Sequence, residues 1–172
     1  VSVKTAVARY EGTGLRFRVS TGSGHELVLD NKEGNAGPRP AEMVAVGQAG
    51  CTAMDVISIL RKKRQVVTRY EVSVESEQRD DPPPSIFTCS ITVHTVEGPA
   101  IDEAAVRRAI ELSATKYCSV AATLSTGSVE IHHRYRIVSP EGAAPVEGEV
   151  VVTGPYADPD RLGQGAGTAG AA

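Results

Sequence analysis

The sequence predicts an α+β domain with antiparallel sheet and segregated helices. Short runs of apolar residues alternate with period two and are bounded by Gly, Asn and Pro clusters, which is how half-buried strands read. One long, almost wholly apolar helix follows the third run. The order is three strands, helix, two strands, helices, strand, as in an α+β fold.

The 172 residues make one domain, expected over 1–138, with a Gly/Ala/Pro-rich extension over 139–172 expected to be flexible. A net charge of −3, no Trp and 4% aromatics argue against nucleic acid as a partner. The start, VSVKTAVARYEG, lacks the apolar h-region of a signal peptide. Three Cys without dense spacing do not make a secreted disulfide framework. The expected setting is cytoplasmic and reducing, where a cysteine pair is catalytic or redox-sensing more often than structural.

Val1, Val3, Thr5 and Val7 share one face of a first strand, and Tyr10 to Gly14 reads as a turn. Leu15, Phe17 and Val19 alternate with Arg16, Arg18 and Ser20 in a second strand. HELVLD, from His25 to Asp30, gives a third and completes a meander. A Gly/Asn/Pro loop leads to Pro40, which suits a first helical turn. Tyr70, Val72 and Val74 mark a fourth strand. A fifth runs from Ile86 to Val96, with Phe87, Cys89, Ile91 and Val93 on its apolar face. Asp102 is the expected N-cap of a helix to about Lys116, whose inward stripe is Val106, Ala109, Ile110 and Ser113. The chain breaks at Tyr117-Cys118 and restarts as a short helix ending at Gly127. Val129, Ile131, His133, Tyr135 and Ile137 alternate in a sixth strand, and Val146 to Val152 suggests one more.

The long helix, Pro40 to Arg64, organises the rest. Between Met43 and Leu60 only Gln48 and Asp55 are large polar side chains. A helix apolar on nearly all faces is buried on nearly all faces, so a second copy of the chain is expected to cover it. At 1.5 Å per residue it is roughly 35 Å long. Asp55 interrupts it and Arg61-Lys62-Lys63-Arg64 closes it, so it does not read as a membrane span.

Cys51 sits mid-helix among small residues, and Cys118 just after the helix break. Two readings are open. Each is a small buried hydrophobe, or the two form a dithiol in which one thiolate reduces an oxidant and the other condenses with the sulfenic acid. The second needs a lowered pKa, and Cys118 at a new helix N-terminus has a source for one. Cys89 reads as core. The chain has no C-x-x-C and no H-E-x-x-H, so no metal site is expected. His94 and His132 fall in the polar phase of their strands and read as solvent-facing, whereas His133 reads as core. Glu42, in the first turn of the long helix, favours the helix dipole or holds an arginine beside a thiolate. Arg39, Arg16 and Arg18 are candidates for that arginine. Asp55 needs a hydrogen-bond partner inside an apolar helix and, as an anion, opposes thiolate formation nearby.

Several stretches together resemble the OsmC/Ohr superfamily of osmotically inducible and organic hydroperoxide resistance proteins. They are Pro40-Ala41-Glu42-Met43, Gly50-Cys51, Asp55 to Leu60 (DVISIL), Leu112-Ser113-Ala114 and Lys116 to Val120 (KYCSV). The DVISIL and KYCSV signatures look most like the YhfA-like branch. The resemblance implies an intertwined homodimer with two long central helices between antiparallel sheets. It implies Cys51 as the peroxidatic residue and Cys118 as the resolving one. An external dithiol then supplies electrons for reducing organic hydroperoxides, with no metal, flavin or haem. In the hydroperoxide-resistance branch an arginine is held by a glutamate ten residues before the first cysteine. Here that position is Ala41, and the carboxylate is Glu42. The alternative function is a non-enzymatic dimer that binds a small apolar ligand or senses oxidants.

Overall fold

A computed structural model describes residues 2–80, 83–127 and 129–154. It divides into two units, residues 1–46 and 47–172.

The first unit holds an antiparallel meander of β1 (Ala6–Tyr10), β2 (Phe17–Thr21) and β3 (Glu26–Leu29). β1 begins later than the alternation suggests and runs through Tyr10, which pairs with Phe17. Their rings lie 5.5 Å apart, so a cross-strand aromatic pair extends the hairpin into the expected turn. Gly24, at φ 85°, takes the left-handed position in the β2–β3 turn. After β3, Asp30 accepts from the N–H groups of Asn31 (2.8 Å) and Ala36 (3.1 Å), fixing the loop that leads to the long helix. Those bonds, the Asn31 one foremost, hold its carboxyl below the usual range.

The long helix α1 spans Glu42–Lys62, and within it Gln48, Thr52, Val56 and Leu60 are buried. Their spacing of four is one stripe of a helix. Val56 and Leu60 enter the main core with Val96, Val106, Ala109, Ile110 and Ile137. Gln48 donates to Thr92 Oγ1 (2.9 Å) and accepts from Ser90 Oγ (3.1 Å). Ser90 spends its only hydrogen there, so Ser76 Oγ, 3.0 Å away, donates to Ser90. By length and composition α1 passes for a membrane span. Its buried stripe, however, is hydrogen-bonded into a sheet, as suits the core helix of a folded domain.

The second unit carries β4 (Arg69–Gln78), β5 (Phe87–Glu97), β6 (Glu130–Val138) and β7 (Val146–Thr153) in that order. Helix α2 (Glu103–Leu112), a π-helical turn (Ser113–Tyr117) and α3 (Ser119–Ser125) connect β5 to β6. That long helical crossover makes β5 and β6 parallel, so the sheet is mixed where antiparallel pairing alone was expected. Asp102 caps α2 by accepting from Ala104 N–H at 3.0 Å, and the inward stripe is the expected one. β7 confirms the alternation around Val146, inside the segment set apart as an extension. The end of that segment, residues 155–172, lies outside the described residues.

β5 buries the opposite face from the one expected. Ser90, Thr92, His94 and Val96 are buried, whereas Phe87, Cys89, Ile91 and Val93 are only half-buried. The polar residues go inward because each finds a partner. Gln48 takes the two hydroxyls, and the Tyr70 hydroxyl lies 2.7 Å from His94 Nδ1. Cys89 is therefore not core and His94 is not solvent-facing. His132 is half-buried between Glu130 (2.7 Å) and Glu149 (2.9 Å). His133 is buried as expected, with Nε2 3.4 Å from Thr153 Oγ1.

Burial lowers the pKa of His94 to about 3 and of His133 to about 4. In an unfolded chain both titrate near ~6.5. Between those values the unfolded state binds more protons, so stability is fully present above ~6.5 and is lost as pH falls. The urea midpoint is expected to be flat above about pH 7 and to drop between ~6.5 and ~5, ahead of most carboxylates. A midpoint unchanged across that interval would show that the two rings are not buried neutral.

Candidate functional site

Cys51 and Asp55 are four residues apart on α1, so one helix face presents both side chains. The segment that meets that face is the break after α2. Cys118 N–H bonds Ser113 O at 2.9 Å, five residues back, which widens the last turn of α2 into a π-turn. Cys118 then leaves the helical region at φ −71°, ψ 99° and becomes the N-cap of α3, its Sγ accepting from Ala121 N–H at 3.4 Å. The thiols of Cys51 and Cys118 and a carboxylate oxygen of Asp55 all lie within 4.8 Å of one another.

A hydrogen-bonded chain supports this group from behind. Ser113 Oγ donates to Asp55 Oδ2 at 3.1 Å. Its hydrogen is thus committed, so Thr52 Oγ1, 2.9 Å away, donates to Ser113. Both hydroxyls are buried. The other wall is apolar, with Cys118 packed against Ala121, Val129 and Ile131, and with Phe87, Val120 and Leu124 beside them.

Accessibility separates the two cysteines. Cys51 is half-buried and Cys118 only 2% exposed, and neither is in a disulfide. Burial pushes the Cys118 thiol up to about 12; its bond to Cys51 and the charge of Asp55 act the same way, and Ala121 N–H opposes them. The helix N-terminus that suggested an activated Cys118 is therefore present but outweighed. Asp55 acts on the thiol in the expected direction, though on Cys118. Burial also raises the Cys89 thiol.

The remaining site residues, all in the first unit, are paired within it. Glu42 pairs with Arg39, its Oε1 taking the Arg39 guanidinium and its Oε2 accepting from Arg39 N–H at 2.9 Å. Arg16 faces Asp30 at 3.5 Å, and Arg18 pairs with Glu11 at 2.7 Å. Sequence reasoning missed the roles of Thr52 and Ser113. Their only signal was a hydroxyl on an otherwise apolar stripe.

The fold and this site define an α+β thiol protein in which Cys51 and Cys118 meet where a long helix crosses a π-turn. The family model described as OsmC-like protein matches residues 32–134. Protein YhfA of Escherichia coli (strain K12) is 45% identical over 127 residues, 73% of this chain and 92% of that protein. The chain belongs to the OsmC-like family. Among solved structures, a hypothetical protein from Aquifex aeolicus VF5 aligns with TM-score 0.69 and 26% identity, over 81% of this chain and 98% of that one. An organic hydroperoxide resistance protein OsmC from Legionella pneumophila aligns with TM-score 0.57 and 16% identity, over 81% of this chain and 98% of that one, and so shares the fold.

The geometry predicts unequal thiol reactivity. In the reduced protein at neutral pH, an alkylating reagent followed by peptide mass spectrometry is expected to label Cys51 at least about tenfold faster than Cys118. Equal rates at the two positions would contradict the burial that raises the Cys118 pKa.

Proposed function

We propose that this protein is a thiol-dependent peroxidase that reduces organic hydroperoxides through a Cys51–Cys118 dithiol cycle. The observation that carries the reading is the approach of these two sulfurs, distant in sequence, to within 4.8 Å. The half-buried Cys51 is the sulfur an oxidant reaches. Its thiolate attacks the distal peroxide oxygen, giving the sulfenic acid and releasing the alcohol once the departing alkoxide takes a proton. The Cys118 thiol then attacks the Cys51 sulfur. Water leaves with the sulfenic oxygen, the disulfide forms, and an external dithiol returns both thiols by exchange. A disulfide needs about 2.05 Å between sulfurs, so the pair closes further as the bond forms.

Other features support the same reading. Of the role expected of Glu42, holding an arginine beside a thiolate, its pair to Arg39 supplies the first part. Kinship with proteins named for organic hydroperoxide resistance points to peroxide stress. The working unit we propose is a homodimer in a reducing, cytoplasmic compartment. Met54, at 70% exposure, and Val46, at 55%, are apolar α1 side chains that a second copy would cover.

The burial of Cys118, only 2% exposed, favours a sensor instead. A resolving thiol held near 12 attacks slowly at neutral pH, which suits a protein oxidised once and read out by a partner. Multiple turnover separates the two. With excess cumene hydroperoxide and dithiothreitol, the reduced protein is expected to consume many equivalents of peroxide, and Cys51→Ser to fall to the uncatalysed rate. Consumption that stops after one equivalent per chain, or that survives in Cys51→Ser, would overturn the peroxidase reading.

A further inference from the structure

The same three side chains are arranged as a metal clamp, a property independent of any reaction with peroxide. Two thiols and one carboxylate, from Cys51, Cys118 and Asp55, converge within 4.8 Å. Around a tetrahedral zinc ion, with bonds of about 2.3 Å to sulfur and about 2.0–2.2 Å to oxygen, neighbouring ligand atoms sit roughly 3.5–3.8 Å apart. The donors thus need to close by no more than about 1 Å to reach that spacing.

The donors are also held as metal ligands are held. Cys51 and Asp55 come from successive turns of one helix, an i, i+4 pair on a rigid element. Cys118 is fixed by the N-cap bond from Ala121. Asp55 is oriented by Ser113, which Thr52 orients in turn, with both hydroxyls buried. Such outer partners set the direction and basicity of a ligating carboxylate. The apolar wall of Ala121, Val129 and Ile131 lowers the local dielectric around any charge bound there. Thiolate donors select a thiophilic ion over magnesium or calcium. Three protein ligands leave the fourth position open to water or a small thiol.

We propose that the reduced protein binds one Zn²⁺ per chain through Cys51 Sγ, Cys118 Sγ and an Asp55 carboxylate oxygen. Binding is an exchange without redox change: each protonated thiol releases its proton to solvent as its sulfur bonds the ion. Zinc and the disulfide use the same two sulfurs, so each excludes the other. A zinc-loaded chain is therefore shielded from oxidants until the metal is withdrawn.

The test uses the full chain, reduced and free of chelator. Zn²⁺ is titrated against a chromophoric competitor, and Co²⁺ serves as the spectroscopic probe in a parallel titration. One equivalent per chain is expected, with the near-ultraviolet band of thiolate-bound cobalt and the visible bands of tetrahedral cobalt. Cys89→Ser is expected to bind as the parent does. Cys118→Ser should lose part of the charge-transfer intensity. Asp55→Asn, which keeps an acceptor for Ser113, should weaken binding at least about tenfold. The parent protein with its thiols alkylated tests the site without any substitution, and it should not bind. Failure of the reduced parent to show thiolate–cobalt bands, or zinc binding unchanged after alkylation, would overturn the proposal. Neither outcome bears on peroxide turnover, which is read separately.

Discussion

The structure depends on one polar seam along an apolar helix. α1 buries the stripe Gln48, Thr52, Val56 and Leu60. Its C-terminal half is ordinary core packing, but its first half is hydrogen-bonded. Gln48 ties α1 to Ser90 and Thr92 of β5, and Thr52 ties it to Ser113 at the π-turn. A buried polar group left without its partner costs about 1–3 kcal/mol. These bonds therefore specify where the helix sits along its neighbours more sharply than apolar contact does. Cys51 and Asp55 lie beside the seam, so their position relative to Cys118 follows from it.

Much of this was legible in the sequence. Period-two alternation located the strands, Asp102 announced the start of α2, and Tyr117-Cys118 marked the break. The phase of β5 was not legible, because both of its faces carry residues able to be buried. Apolar Cys89, Ile91 and Val93 look like the inner face until Gln48 and Tyr70 are seen to satisfy Ser90, Thr92 and His94. The parallel pairing of β5 and β6 follows from the helical crossover between them. At the site, the residues alone left two readings of Cys51 and Cys118 open, buried hydrophobes or a dithiol, and only resemblance to a family favoured the second. Ser113 and Thr52 carried no signal of their role, since a lone hydroxyl on an apolar stripe does not name its acceptor.

The local chemistry is a balance in which burial wins. Cys118 has the helix N-cap position that lowers thiol pKa values elsewhere. Here an apolar wall, the neighbouring thiol and the Asp55 carboxylate together raise it. The consequence is a reduced state that resists casual oxidation at Cys118. Reactivity is left to the more exposed Cys51. Asp55 has two opposing effects in this arrangement. As an anion it restrains the Cys118 thiol, and as a ligand it completes a site for a cation that would stabilise both as thiolates.

The central claim is that the fold makes a functional pair of Cys51 and Cys118. It is tested most directly by peptide mass spectrometry of the reduced protein before and after one equivalent of an organic hydroperoxide. Rapid formation of a Cys51–Cys118 disulfide, with Cys89 unmodified as internal control, is the predicted result. A free Cys51 thiol alongside Cys89 oxidised at a similar rate would contradict it.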